Sequence, residues 1–361
     1  MKVAIIGAGL SGLSCALELE RHNITPVIFE KNNKIGDIVG FSLIWPRMFN
    51  RSYDDPVVYL REKYKVTLKP LNQIRKIVMY SPGRKAVERG SLGYIFKKGY
   101  EAYSLERQLA SMLDTQIIFN QYIDIDEIKK EYDYIVAATG FNIIGKKLGV
   151  WTDTLIAQAR IANVVGHFKK TSVTMWLNTD YCKNGFCYLI PINDKQANLA
   201  MVVNGITCRE TDYYWKHFLT QENISCTITD TIDSEHVCGF ARPLQKDNVL
   251  FVGNAGGFTD DLIGCGSINA IESGFLAAQA IAYNEDYNGL AAPIYAQIEK
   301  LHEMRKFLNT MDNKAYDRLI SFLDTPVLKN YIYNNPFFRV SDAAPIAQAF
   351  NKYIRSRSRL K

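Results

Sequence analysis

The 361-residue sequence predicts an α/β protein with a discontinuous Rossmann-type nucleotide-binding domain, an antiparallel β-sheet domain and a helical C-terminus. Three observations predict this. Residues 2–31 read strand, glycine turn, helix, strand. Residues 151–237 are dominated by short strand-like runs separated by turns. Near residue 248 the chain returns to a strand followed by glycine turns and a small-residue helix.

The opening stretch sets the rest. Lys2–Ile6 is a short apolar run, a buried strand, and Gly7, Gly9 and Gly12 follow at the spacing G-x-G-x-x-G. Gly7 permits the tight turn, Gly9 lets backbone approach a pyrophosphate, and Gly12 lets helix and strand pack closely. The turn residues Ala8, Leu10 and Ser11 then offer the first helical N–H groups to phosphate oxygens, aided by the helix dipole. Val27–Phe29 forms the second strand and ends on Glu30, 18 positions after Gly12. A carboxylate there accepts hydrogen bonds from ribose hydroxyls and favours an adenosine with a free 2′-OH. A lone G-x-G-x-x-G is a weak signal; between a strand and a helix, with this acidic residue, it is a strong one.

Lys31–Ile44, punctuated by Gly36 and Gly40, reads as a loop with a short strand running along the nucleotide. Asp55–Tyr64 is a short helix, and Val66–Arg89 alternates as a β excursion with Pro82-Gly83 at a hairpin turn. Tyr103–Leu113 has helical periodicity with Ser104 as its N-cap. Thr115–Asn120 and Asp133–Ala137 are strands, the latter running into Ala138-Thr139-Gly140 beside the nucleotide. Strands follow at Val164–Phe168, Val173–Leu177, Phe186–Ile192, Leu199–Val203 and Ile224–Ile232, with one helix at Tyr213–Gln221. Val249–Val252 leads into Gly253-Asn254-Ala255-Gly256-Gly257, and Gly264-Cys265-Gly266 precedes a helix over Ser267–Ile281. From Leu290 onward the pattern is amphipathic and helical, with Ile294, Ile298, Leu301 and Met304 on one face.

Composition narrows the function. The net charge of +6, from 43 basic and 37 acidic residues, is too mild for a nucleic-acid-binding protein. The basic tail Arg355, Arg357, Arg359 and Lys361 suggests either a solvated end or a peripheral contact with an anionic membrane. There is no signal-peptide pattern and no apolar run of about 18 residues, so the expectation is a cytoplasmic protein without a spanning helix. The seven cysteines form no C-x-x-C pair and no metal-spaced cluster, which points to free thiols and no metal. His22, His167, His217, His236 and His302 are scattered, and no Ser-His-Asp arrangement is visible.

Taken together, the three nucleotide segments resemble the flavin-dependent oxidoreductases with the p-hydroxybenzoate hydroxylase-like fold, and most of all the geranylgeranyl reductase family, over about residues 1–290. The resemblance implies FAD as cofactor and reduction of C=C bonds in prenyl chains. It places Gly7–Gly12, Glu30, Lys31, Phe41, Ser42, Thr139, Gly140, Asn254, Gly266, Ser267 and Ile268 along the FAD. Phe41 and Ser42 stand where the family often has a cysteine and a glycine. Asn254 stands for the aspartate that binds the ribityl chain, and an amide can still hydrogen-bond a hydroxyl. Ala102 stands where an arginine usually precedes the helix, with Arg107 as a candidate substitute. The helix from Ser267 would aim its N–H groups at the flavin and stabilise its anionic reduced form. Phe186-Cys187-Tyr188-Leu189-Ile190-Pro191 resembles the family motif Tyr-x-Trp-x-Phe-Pro. Alternation puts Phe186, Tyr188 and Ile190 on one strand face, a candidate substrate wall ending at Pro191.

The resulting expectation is a nucleotide domain of residues 1–75, 100–150 and 245–290, a substrate domain of 76–99 and 151–244, and a helical region of 291–361. Tyr188 and Cys265 are the candidate catalytic residues. The substrate is expected to be small and apolar, isoprenoid or lipid-like, with electrons from NAD(P)H or ferredoxin. Two other readings stay open at this point: a flavin monooxygenase or halogenase, and a non-enzymatic flavin- or nucleotide-binding protein. The oligomeric state is not readable from the sequence.

Overall fold

The computed structural model describes residues 1–36, 40–47, 55–329 and 340–343; the basic tail lies outside them. β1 (Val3–Ile6) passes through the glycine turn into α1 (Leu10–Arg21) and returns as β2 (Val27–Phe29). All four β1 side chains are buried, the mark of a parallel strand covered on both faces. β3 (Phe41–Pro46) is followed by α2 (Pro56–Tyr64), which Asp55 caps by accepting from Val57 N at 2.9 Å. β4 (Asn72–Ser81) and β5 (Arg84–Lys98) form a hairpin closed by Pro82-Gly83, with Ser81 opposite Arg84. Ser104 caps α3 (Leu105–Ala110), its Oγ accepting from Arg107 N at 3.2 Å.

β6 (Ile117–Ile118), α4 (Ile125–Ile128), β7 (Tyr134–Ala137) and α5 (Ile143–Lys147) complete the first pass. The β-rich stretch then runs β8 (Trp151–Val165), β9 (Ser172–Trp176), α6 (Thr179–Cys182), β10 (Phe186–Pro191), β11 (Gln196–Asn204), α7 (Thr211–Gln221) and β12 (Thr227–Ala241). β13 (Gln245–Lys246), β14 (Val249–Phe251) and α8 (Ser267–Tyr283) return to the first region, and α9 (Tyr287–Leu308) and α10 (Asn313–Leu323) follow.

The strands form two sheets. The first has six strands in the order β13-β14-β7-β1-β2-β6, all parallel apart from β13. The second has eight in the order β12-β8-β11-β10-β9-β4-β5-β3, antiparallel except where β4 runs parallel to β9. This is the Rossmann-type α/β architecture with an antiparallel sheet and helical C-terminal region that the sequence predicts. α1 and α8 pack across the first sheet at close range. A Cβ added to Gly274 would lie 2.2 Å from the Ser11 carbonyl oxygen, which explains the small residues of α8. Ile298 and Leu301 of α9 are buried, on the face that the periodicity marks.

Several strands differ from the sequence reading. Val164–Phe168 marks only the end of β8, which pairs with β12 from Thr227↔Val165 to Ala241↔Trp151. The rest of both strands is partly exposed and polar, so apolar alternation is weak there and backbone pairing holds the ribbon. β5 likewise runs on past Arg89 to Lys98. Phe41–Pro46 pairs with β5, and Asn72 opens β4, so both stretches join the second sheet although the sequence reading kept residues up to 75 with the first. The expected strand at Thr115–Asn120 shrinks to Ile117–Ile118.

Candidate active site

The glycine turn has the geometry its spacing demands. Gly7 takes φ of +111°, and a Cβ on it would meet the Ala138 carbonyl oxygen at 2.5 Å. A Cβ on Gly12 would stand 2.0 Å from the Gly7 oxygen. Gly9 differs: a Cβ there would meet nothing within 4 Å. Two glycines are therefore required by the protein itself, whereas the third faces open space at the N-terminus of α1. Leu10 and Ser11 are buried in the first turn, with Ser11 Oγ against Gly253. Glu30 is buried, and its carboxylate accepts from Ala8 N and Asn32 N, both at 2.9 Å. These two donors fix its orientation at the end of β2. Lys31 Nζ lies 4.8 Å from the centre of the Phe141 ring.

The Asn254 side chain ties the loop after β7 to β12. Its Nδ2 donates to Gly140 O at 2.9 Å and to Val237 O at 3.2 Å, while Thr139 Oγ1 donates to Phe141 O at 2.9 Å. Asn254 Oδ1 is buried and meets no partner among the described residues, and the same holds for Ser42 Oγ. Buried acceptors and hydroxyls without partners are costly in a finished core and are what a polyhydroxylated ligand would satisfy. Ser42 N donates to Asn198 Oδ1 at 2.7 Å, which anchors β3 to the middle of the second sheet. Gly266 is the N-cap of α8, Ile268 is buried, and Ser267 Oγ accepts from Trp45 Nε1 at 2.6 Å. Ala102 and Arg107 line one depression of about 490 Å³ with Ile35 and Tyr100, and Arg107 Nε donates to Tyr100 O at 3.3 Å.

Tyr188, His236 and Cys265 gather at the corner Gly264–Ile268, where desolvation dominates their titration although each keeps some accessible surface. Burial, then Cys265, pushes the Tyr188 phenol up, so the two candidate catalytic residues are brought together. Burial, then Asp260, pushes the Cys265 thiol well up, so it stays protonated and is a poor nucleophile.

Phe186, Tyr188 and Ile190 share one face of β10 as alternation predicts. Ile190, however, is packed among Ile74, Ile95 and Val173, and Phe186 leans toward the α10 residues Tyr316 and Ile320. Pro191 is buried opposite Ala197. Tyr188 packs at the edge of the same cluster as Ile190 and, of the four proposed wall residues, is the one that Cys265 influences.

The sequence reading passed over other groups here. His236 Nε2 is 3.2 Å from Cys238 Sγ and 3.4 Å from where a Cβ of Gly264 would sit. Lys98 is close enough to lower the imidazole further after burial has done so. Asp260 is fully buried, accepts from Leu262 N at 3.0 Å and Ile263 N at 2.9 Å, and is pushed by burial up to about 7. Asp261 meets His302 Nδ1 at 2.6 Å. In the sequence Asp260 and Asp261 are marked only by lying between the glycine turns at Gly257 and Gly264, and His236 by nothing. No metal-binding group of three or more His, Cys, Asp or Glu occurs among the described residues.

Comparison with known proteins agrees with this layout. The NAD(P)-binding Rossmann-like domain family matches residues 5–39. A digeranylgeranylglycerophospholipid reductase of Methanocella arvoryzae is 26% identical over 168 residues, covering 44% of this chain but only 42% of that protein. Digeranylgeranylglycerophospholipid reductase 3 of Methanosphaera stadtmanae is 22% identical over 89% of this chain and 86% of its own length. Among solved structures, a geranylgeranyl bacteriochlorophyll reductase-like protein of Thermoplasma acidophilum superposes with a TM-score of 0.74 at 18% identity, over 96% of this chain and 95% of that one. The flavin-dependent brominase Bmp2 superposes at 0.66 with 14% identity, over 99% and 100%. In sequence the chain is similar to reductases of this name, spanning about half the length of the first of them, and it shares the fold of these flavoprotein structures.

Proposed function

We propose that the protein is an FAD-dependent reductase that saturates C=C bonds of an isoprenoid or lipid-like substrate. The observation that carries this reading is the placing of Tyr188 and Cys265 beside the corner Gly264–Ile268, where burial holds the phenol and the thiol in their uncharged forms, as suits an apolar chain. The similarity to proteins named digeranylgeranylglycerophospholipid reductases supports the substrate class. The monooxygenase and halogenase reading has the shared fold behind it, and the strand Phe186–Pro191 does not separate it from the reductase reading.

The residues present fit FAD. The open face of Gly9 and the first N–H groups of α1 would take the pyrophosphate, and Glu30 the adenosine ribose. Asn254 Oδ1 would accept from ribityl hydroxyls, and Ser42 Oγ would accept from them or donate to them. The N-terminus of α8, set by Gly266 and braced by Trp45 on Ser267, would face the ring and favour its anionic reduced form. When bound and reduced, the flavin supplies a hydride. The chain's own contribution is to orient the alkene against Tyr188, exclude water and keep Cys265 as a thiol. Electrons enter from NAD(P)H or ferredoxin; no second dinucleotide fingerprint is present in the sequence.

The test is direct. The purified protein should be yellow or take up FAD. Reduced without oxygen and mixed with vesicles containing geranylgeranyl glycerolipid, it should reoxidise while the lipid gains hydrogen pairs by mass spectrometry. Reoxidation by oxygen alone, with the lipid unchanged, would contradict the proposal.

A further inference from the structure

We infer that Phe141 and Lys31 form the adenine subsite of the dinucleotide site, with the Phe141 ring as its stacking platform and the Lys31 ammonium closing over the base. The inference rests on the FAD reading of the first glycine turn and extends it to an exposed ring outside the glycine motifs.

The register of the first sheet sets the place. Ile6 of β1 lies opposite Phe29 of β2 on one side and Ala137 of β7 on the other. The chains leaving β2 and β7 therefore flank the glycine turn that leaves β1. Lys31 follows Glu30 at the end of β2, and Phe141 follows Thr139-Gly140 at the end of β7. Their side chains meet across the outlet of β1, with Lys31 Nζ 4.8 Å from the centre of the Phe141 ring, inside cation–π range. Both supports are held by hydrogen bonds. Gln121 N donates to Glu30 O at 2.9 Å and Asn120 N to Asn32 O at 3.0 Å, on either side of Lys31. Gly140 O accepts from Asn254 Nδ2 at 2.9 Å, and Phe141 O accepts from Thr139 Oγ1 at 2.9 Å. The side chains themselves are open: Phe141 is 51% exposed, and Lys31 is exposed beside it.

Position and chemistry together select a purine base. With the ribose on Glu30 and the diphosphate at Gly9, the base is confined to the crevice outside the carboxyl ends of these strands, where Lys31 and Phe141 face each other. A single exposed apolar side chain is ordinary on a protein surface. Phe141 is set apart by the cation laid on it and by the glycine turn beside it. An adenine offers two flat π faces. One stacks on the Phe141 ring, and the other takes the Lys31 ammonium, which exchanges one π face for another. A flavin mononucleotide lacks this base and gains nothing here, so the subsite selects the dinucleotide.

The experiment measures binding to flavin-free wild-type, F141A, F141L, F141W and K31M proteins. FAD affinity should fall on the order of 10-fold or more in F141A. It should fall nearly as far in F141L, which restores apolar bulk without a π face, and hold in F141W. K31M keeps the stem, loses the charge and should bind FAD about 3-fold more weakly. Affinity for FMN and the melting temperature of the flavin-free protein should be the same in all five. In F141W, ADP should quench added tryptophan emission that the four native tryptophans do not show, and ribose 5-phosphate should not. Unchanged FAD affinity in F141A, full affinity in F141L, or no quenching of F141W by ADP overturns the inference. If the wild type binds neither FAD nor ADP, the FAD reading falls and the subsite with it. If it binds FAD and never reduces the lipid, the reductase reading alone falls, and these affinities still decide the subsite.

Discussion

The glycine turn at Gly7–Gly12 and the corner at Gly264–Ile268 are both strand–glycine–helix junctions, yet they are built differently. At the first, the requirement for glycine arises within one sheet. The clashes that forbid a side chain come from Gly7 itself and from the neighbouring strand at Ala138. At the second, the neighbours come from far along the chain. A Cβ on Gly264 would approach His236, Ser267 accepts from Trp45 of β3, and Asp260 accepts from the Cys238 thiol with its carbonyl oxygen while its N–H donates to the Cys265 carbonyl oxygen. The first turn is completed within the first sheet. The second corner exists only once both sheets are in place.

The sharpest way to break the comparison is a matched pair of substitutions in the first turn. G12A puts a methyl group against a backbone oxygen that cannot move aside, and should destabilise the protein by about 3 kcal/mol or more. G9A meets nothing and should stay within about 1 kcal/mol of wild type by thermal melt. Its FAD affinity should nonetheless fall at least tenfold, about 1.4 kcal/mol, because the methyl group occupies the approach to the pyrophosphate. Equal melting losses in both variants would show that Gly9 is structural too.

A smaller effect tests the second site through pH. Asp260 binds its proton more tightly in the fold than in the unfolded chain, being pushed from the usual carboxylate range to about 7 by burial. Between about pH 4 and 7 the folded state therefore holds more protons, and stability falls as pH rises through that window, levelling above it. D260N keeps the acceptor for Leu262 N and Ile263 N and removes the slope. Its stability relative to wild type should rise on the order of 2–4 kcal/mol between pH 4 and 8. A flat difference across that range would place the Asp260 charge in contact with water.

The smaller effects sharpen the picture further. W45F loses the indole bond to Ser267 and should cost about 1 kcal/mol, with a measurable weakening of flavin binding because α8 loses its brace. Iodoacetamide at neutral pH should modify the exposed Cys208 well before Cys265, whose thiol is pushed up by burial and Asp260. Faster labelling of Cys265 would mean that it is an activated thiol and a candidate nucleophile after all.

What the sequence made legible follows the same division. The glycine spacing, Glu30, the hairpin at Pro82-Gly83 and the Ser104 cap are rules of a few adjacent residues, and each appears in the structure. The fold class followed because the strand–glycine–helix pattern occurs twice. The full length of β8 and β12 was hidden because their partly exposed ends carry polar residues, so pairing and not apolar alternation keeps them in the sheet. Phe41–Pro46 was kept with the nucleotide region because chain order suggests it, whereas β5 is its partner. His236 passed as one scattered histidine among five, since its neighbours Lys98 and Gly264 are distant in sequence. The identities at Phe41, Ala102 and Asn254 depart from the familiar motif, and Asn254 shows how a replacement can take up new work by bridging Gly140 and Val237.

The central claim is that the first turn anchors a dinucleotide whose flavin ring rests against the second corner. A crystal structure of the FAD-loaded protein tests it most directly. The account predicts the diphosphate over Gly9, with the ring bounded by Gly264–Ile268, Tyr188 and His236. A ring away from that corner, or a diphosphate held anywhere other than the first turn, would contradict it.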